Sequence, residues 1–350
     1  MRLPMTGGEH LRIRGKAAVG WDMGKAAAGR TVRLLRFWGV IGAAGLLIAD
    51  PAAAAEGVRA GLELSARSVI PSLFPFLVLA PMLTYRLQLL LCRGKTGGTR
   101  AHGAALLSAW AVGMTAGFPV GALMLVSLCE RGVITREEAG RYLGICTGAS
   151  PAFLIGYFGQ ALWGSAAMGI GMWGMQCAVG LCAFLLLRRR FGGSLHSPAG
   201  NPRAEKLQAE YLQAVFLPAE HEPTLAVCLR DAVPRMLGIC GAVVFFSVFR
   251  VFLCRFLPAA AAAVTGGFAE MTGGLRECRA LYEGGSLGRG GALVLSAAMI
   301  GFGGGCVGMQ TADAASRLQL PMRSYWLQRV LLGAVYALAV GVTAAVKQRI

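Results

Sequence analysis

From Ala104 to Gly159 the sequence carries an apolar run of membrane length that breaks at Gly117-Phe118-Pro119-Val120-Gly121-Ala122. A short charged stretch follows, and then a second broken run at Ser150-Pro151-Ala152-Phe153. In lipid a backbone polar group has no water to pair with, so spans are helical. A helix-breaker inside one frees groups that must face protein, water or a ligand. Discontinuous helices of this kind recur in transporters. The alternative is a small-residue packing face at Gly117, Gly121 and Ala122 with a kink at Pro119. Two interruptions flanking one polar helix favour broken helices.

The composition belongs to the same solvent. Of the 350 residues 55% are hydrophobic and 15% charged, against about 25% charged in soluble domains. The net charge of +17 would suggest nucleic acid in a soluble chain. Here the basic residues sit in the N-terminal tail and in loops between apolar runs, so a lipid bilayer with anionic headgroups is the expected partner and nucleic acid is not. The ten cysteines include no CxxC pair, and His10, His102, His196 and His221 are scattered. No metal site, cofactor or catalytic constellation is expected, and the chain does not read as an enzyme.

In chain order, 1–36 reads as a basic cytoplasmic tail with only Glu9 and Asp22 as acids. Phe37–Ala55, nineteen residues, is just long enough to span, although its Ala52-Ala53-Ala54-Ala55-Glu56 end also resembles a signal-peptidase site. Gly57–Ser68 suits an interfacial helix. Pro71, Pro75 and Pro81 then argue against a uniform helix. The basic loop from Arg86 to Arg100 is placed in the cytoplasm, and Ala104–Leu128 is read as the third span. Thr135-Arg136-Glu137-Glu138 forms a capping box. Glu137 pairs with Arg141, while Ala139, Tyr142, Leu143 and Cys146 face apolar material. Ser150–Tyr157 is too short to span and reads as re-entrant, with Thr147 and Ser150 near its tip. Trp163–Leu187 is a span closed by Arg188-Arg189-Arg190. A polar cytoplasmic linker, 191–232, separates a first membrane half, 37–190, from a second, 233–346, with 347–350 as a tail.

The second half repeats this grammar: Ser296-Ala297, Gly301 and Gly305 fall in the same relative places as Ser108-Ala109, Gly113 and Gly117. Gly267–Leu281, with Glu270, reads as an interfacial helix. Gly301–Gly305 is not a phosphate loop, since no Gly-Lys-Ser/Thr follows it. It suits close helix approach or an unwound segment, with Gln310, Thr311 and Asp313 beyond. Arg317, Arg323 and Arg329 surround the Leu320-Pro321 turn, and Leu327–Val346 is the last span. The expected fold is an all-α polytopic integral membrane protein with seven full spans, broken or re-entrant helices and a two-fold internal repeat.

Leu73-Phe74-Pro75-Phe76, Gly117-Phe118-Pro119-Val120-Gly121-Ala122, the Glu130–Ala139 stretch and Ser150-Pro151-Ala152-Phe153-Leu154-Ile155-Gly156 resemble the sporulation integral membrane protein family of endospore-forming bacteria. The resemblance runs from about 37 to 346 and includes Phe302-Gly303-Gly304 and Gln310. It implies the nucleoside-recognition, or gate, domain also found in nucleoside transporters and ferrous-iron permeases. It further implies a role in spore formation at the developing spore's membranes, either moving a small polar solute or, without transport, as a scaffold for spore-envelope assembly. Other sporulation membrane proteins would then be partners. Phe118 stands where the family commonly has tyrosine, and Thr147-Gly148-Ala149 where asparagine is frequent. Those departures bear on solute binding rather than on fold. The candidate gate or solute path comprises Gly117, Phe118, Pro119, Gly121, Thr147, Ser150, Pro151, Gly303, Gly304 and Gln310.

Overall fold

The computed structural model describes residues 37–92, 98–130, 133–191 and 222–347. The basic tail 1–36, part of the basic loop (93–97), most of the polar linker (192–221) and the end of the C-terminal tail (348–350) lie outside the described residues. The chain divides into two compact units, Met1–Ala55 and Glu56–Ile350.

In the first unit, α1 spans Phe37–Ala49. Asp50 then caps α2 (Pro51–Leu64), its Oδ1 accepting the Ala53 amide proton at 2.9 Å. A side-chain cap followed by proline at the first helical position is a strong start signal. Phe37–Ala55 is therefore not the single uninterrupted span that its hydropathy suggested.

In the second unit, α2 widens into a π-helical turn, π1 (Ser65–Val69), where the Ile70 amide donates to Ser65 O, and then becomes α3 (Ile70–Cys92). The expectation that three prolines preclude a uniform helix fails here: α3 runs unbroken through Pro75 and Pro81. The wide turn lies just before Pro71, where a tight turn would drive the ring against the carbonyl four residues back.

Four segments are long and apolar enough to cross a membrane. They are α7 (Ala166–Phe191), α8 (Leu225–Phe256), the pair α11 (Arg289–Phe302) and α12 (Gly304–Ser316), and α13 (Met322–Lys347) over Met322–Val346. Counting α1 with Pro51–Val69 as one broken span makes five. This is a multi-pass α-helical membrane protein, with fewer full spans among the described residues than the seven expected. The difference lies partly in Ala104–Leu128, which is a hairpin: α4 (Gly98–Ala116) and α5 (Val120–Glu130) pack against each other across a three-residue turn. Glycine permits this. A Cβ on Gly113 or Gly121 would lie 1.7 or 1.8 Å from the Cys146 carbonyl oxygen, which sits between the two helices.

A second helical hairpin, α9 (Ala259–Ala269) and α10 (Met271–Glu283), turns at Glu270. Gly267–Leu281 is therefore not one interfacial helix. A third fold-back joins π2 (Ala152–Leu162) to α7. Outward-facing Leu327, Val330, Leu331 and Leu338 on α13 are more than half exposed, as residues that meet lipid should be. The core closes around Leu125, Leu143, Leu154, Phe158, Leu275 and Ile300, all at 0% exposure.

The two interrupted glycine runs break in the same backbone conformation, at Gly117 (φ 82°) and at Gly303 (φ 85°). Their registers differ, however. Gly117 aligned with Gly305 in sequence, whereas the left-handed residues of the second run are Gly303 and Gly304. The first run also folds back on itself while α11 and α12 do not pack together. Shared breaks do not amount to a two-fold repeat.

Between π2 and the first hairpin, α6 (Arg136–Tyr142) forms as the capping box dictates. The Thr135 hydroxyl accepts from the Glu138 amide at 3.2 Å, and the Glu138 carboxylate accepts from the Thr135 amide at 2.9 Å. Glu137 meets Arg141 at 3.3 Å, and Glu138 also meets His102 Nε2 at 3.0 Å. Burial raises the Glu138 pKa, but the His102 and Thr135 hydrogen bonds outweigh it and hold the carboxyl below its usual 4.5. A depressed carboxyl pKa stabilises the fold above the unfolded value, and that stabilisation is lost as pH falls through the folded one. Glu138→Gln should therefore cost about 1 kcal/mol at neutral pH. The gap to wild type should close below pH 4.5 in thermal unfolding of the detergent-solubilised protein. A pH-independent gap would contradict this assignment.

Candidate functional site

The two hairpin tips satisfy their own backbones by different chemistry. At the first, Gly117 takes a left-handed conformation, its carbonyl accepts from the Val120 amide at 2.9 Å, and the Phe118-Pro119 bond is cis. The Pro119 carbonyl then receives the Ala122 and Leu123 amides at 3.0 and 3.1 Å, which starts α5. At the second tip the Glu270 side chain, 3% exposed, accepts from the Thr272 and Gly273 amides at 2.7 and 2.5 Å. A carboxylate at a helix N-terminus is paired both with free amides and with the helix dipole.

The stretch between α6 and π2 is irregular yet buried, so its peptide groups need side-chain partners. Gln176 on α7 supplies two: its Oε1 accepts from the Ala149 amide at 3.0 Å and its Nε2 donates to the Ala149 carbonyl at 2.8 Å. Gln328 on α13 accepts from the Gly144 amide at 2.9 Å and donates to the Arg141 carbonyl at 2.8 Å. Arg329 completes the clamp. Its guanidinium donates to the carbonyls of Gly144 (3.3 Å), Thr147 (2.6 Å), Ile300 (3.1 Å) and Phe302 (2.9 Å), and it lies 5.5 Å from the Phe118 ring centroid. This cation is 1% exposed and has no carboxylate partner among the described residues. Carbonyl dipoles of the irregular stretch after α6 and of the last turn of α11 compensate it instead.

Between the tips lies a cavity of about 70 Å³. This is room for a few water molecules and is below the roughly 300–1,000 Å³ clefts of drug-sized ligands. Leu73 and Leu77 of α3, Ile239 and Val243 of α8 and Phe153 of π2 are among the apolar side chains in its wall. Its polar groups are Ser150, Glu270, Thr272 and Gln310, with the Cys306 thiol beside them. The Tyr157 hydroxyl on π2 donates to the Thr272 carbonyl at 2.8 Å, joining the first half to the second tip.

The candidate residues fall into three places. Gly117, Phe118, Ser150 and Gln310 line the cavity, and a Cβ on Gly117 would come 2.8 Å from that of Ser150. Pro119, Pro151 and Gly304 stand next to it: Pro119 follows the first tip, Pro151 opens π2, and a Cβ on Gly304 would lie 3.3 Å from the Met271 amide. Gly121, Thr147 and Gly303 lie behind. Gly121 faces the Cys146 carbonyl, and the Thr147 hydroxyl donates to the Leu143 carbonyl at 3.0 Å. A Cβ on Gly303 would meet Arg329 Nη2 at 2.8 Å. Gln310 Nε2 reaches the Cys306 sulfur at 3.6 Å.

Sequence reasoning overlooked Glu270, Gln176, Tyr157 and Arg329. The sequence reading puts Glu270 in an interfacial helix and Arg329 among the arginines around the Leu320-Pro321 turn. The available signal was that a charge inside an apolar segment, three residues into the final span in the case of Arg329, marks a site by default. Gln176 offered the same signal, a lone amide within a full span. Among the described residues no three His, Cys, Asp or Glu side chains converge as a metal site would require. The cavity lining offers carboxylate and amide acceptors together with hydroxyl and amide donors. No family model, curated protein or solved structure matches this chain.

Proposed function

We propose that the protein moves a small polar solute across a membrane through the cavity between the two hairpin tips, and that it serves spore formation. The observation that carries the transport reading is the convergence of both tips, Ser150 and Gln310 on one cavity. Irregular backbone at membrane depth is tolerated where it lines a cavity or is buried in protein, and a midplane site built from interrupted helices is the transporter arrangement. The cavity's size favours a solute of a few heavy atoms, or else tips that part to admit a larger one. The sporulation reading is supported by the motif resemblance over 37–346, including the Gly117–Ala122 and Ser150–Gly156 blocks. Glu270 gives the cavity wall a carboxylate, which favours neutral hydrogen-bond donors and cations over anions.

The test combines a deletion with a point variant. Deletion should leave vegetative growth normal and lower the yield of heat-resistant spores. Gln310→Ala should reproduce part of that defect at normal membrane abundance, with solute flux into reconstituted vesicles reduced roughly tenfold through loss of a half-buried amide contact. Normal spores in the deletion would overturn the sporulation role. Normal flux with lost spores would replace transport by the scaffold reading.

A further inference from the structure

A second pocket lies away from the cavity, at the C-terminal end of α7, and nothing in the transport reading uses it. It has a volume of about 430 Å³ and is open on one side, and its charged lining is Arg141, Arg188, Arg189, His102 and Glu138. Glu138, its one acid among the described lining residues, is already engaged by His102 at 3.0 Å and by Thr135. The second ring nitrogen of His102 faces the Val133 carbonyl oxygen at 3.0 Å. Arg141 pairs on its outer side with the exposed Glu137 at 3.3 Å and stacks 4.6 Å from the centroid of Phe191, a lining ring. Arg188 and Arg189 have no carboxylate partner among the described residues.

Arginines at the end of a span complement the helix dipole and reach for headgroups whatever surrounds them. Arg190 is not among the lining residues, its guanidinium lying 6.0 Å from the Phe191 ring centroid. Arg188 is more than a span-end charge, because it is folded across onto α4: a Cβ on Gly103 would lie 2.5 Å from Arg188 Nη2 and 2.7 Å from Cζ. A glycine on the neighbouring helix thus lets the guanidinium enter the pocket beside Arg141 and Arg189. Three guanidinium groups facing one open, partly apolar pocket match the oxygens of a phosphate, which arginine binds in bidentate fashion. The pocket lies at the end of a membrane-length helix, where basic pockets meet lipid headgroups.

We infer that this pocket binds a phosphate group, either from an anionic phospholipid headgroup or from a soluble phosphate. The full-length protein in phosphatidylcholine nanodiscs, titrated separately with phosphatidylglycerol and with inorganic phosphate, tests it by thermal shift and by native mass spectrometry of retained lipid. Arg188→Gln combined with Arg189→Gln should weaken binding at least roughly tenfold. Gly103→Ala, which displaces Arg188 without changing charge, should weaken it severalfold. Arg190→Gln should leave it unchanged. Arg188→Lys with Arg189→Lys should recover part of it, which separates a binding defect from misfolding. A response to phosphatidylglycerol alone identifies the lipid source, and an equal response to inorganic phosphate the soluble one. The inference is overturned if neither probe distinguishes wild type from the double Gln variant, or if Arg190→Gln weakens binding as much.

Discussion

Arg329→Met should lower the unfolding free energy by about 3–5 kcal/mol, the largest single-residue effect expected in this molecule. The change strips guanidinium donors from the carbonyls of Gly144, Thr147, Ile300 and Phe302 together, and only the Gly144 carbonyl keeps another side-chain donor, the Thr147 hydroxyl at 3.1 Å. Relief from burying a guanidinium offsets only part of that loss. Arg329→Lys keeps the charge but replaces a planar fork by a point donor, so it should fall between methionine and wild type. Chemical unfolding in mild detergent, read by helical circular dichroism, measures both. Wild-type stability in the Met variant would show that the carbonyls find other partners and that the guanidinium is dispensable.

Gln176→Leu is expected to cost about 2–4 kcal/mol. The leucine fills a similar volume, yet the Ala149 amide and carbonyl both lose their partners in a buried, irregular segment. Gln176→Glu separates the two bonds, because a carboxylate still accepts from the amide but repels the carbonyl. It should recover no more than half of the loss. The effect should extend to the cavity, because Ser150 follows Ala149 directly and Gly117 packs on it. On the transport reading, solute affinity should therefore fall in both variants at temperatures where they remain folded. Unchanged stability in Gln176→Leu would mean that this segment is held by backbone packing alone.

The sequence made some levels of this structure legible and concealed others, for physical reasons. Capping chemistry is local, so α6, its Glu137–Arg141 pair and its buried face could be read from adjacent residues. Helix-breakers are local as well, and the breaks at Gly117 and near Ser150 are where the glycine and proline pattern put them. Whether a break kinks a span or reverses it is not a local matter. Gly113 and Gly121 pass for ordinary small residues until the Cys146 carbonyl, twenty-five residues beyond Gly121, is found between them. The prolines of α3 misled in the other direction, because the widened turn that accommodates them has no sequence signature. Arg329 and Glu270 were hidden by their position near segment ends, where a charge is normally wet. Only the long-range fold shows that one end points inward at the carbonyls of α11 and of the irregular stretch after α6, and the other at a cavity.

The bond from the Tyr157 hydroxyl to the Thr272 carbonyl has a consequence for timing. Parting π2 from the second tip strands a phenol proton and a peptide oxygen in the same instant, in surroundings that offer neither a substitute until water follows. Partial separation therefore carries most of the penalty and none of the relief, so intermediate openings are sparsely visited. If the tips part as the transport reading requires, the second tip would act as a latch rather than a spring, resting shut for a waiting time set by one rupture event and then swinging through to a hydrated opening.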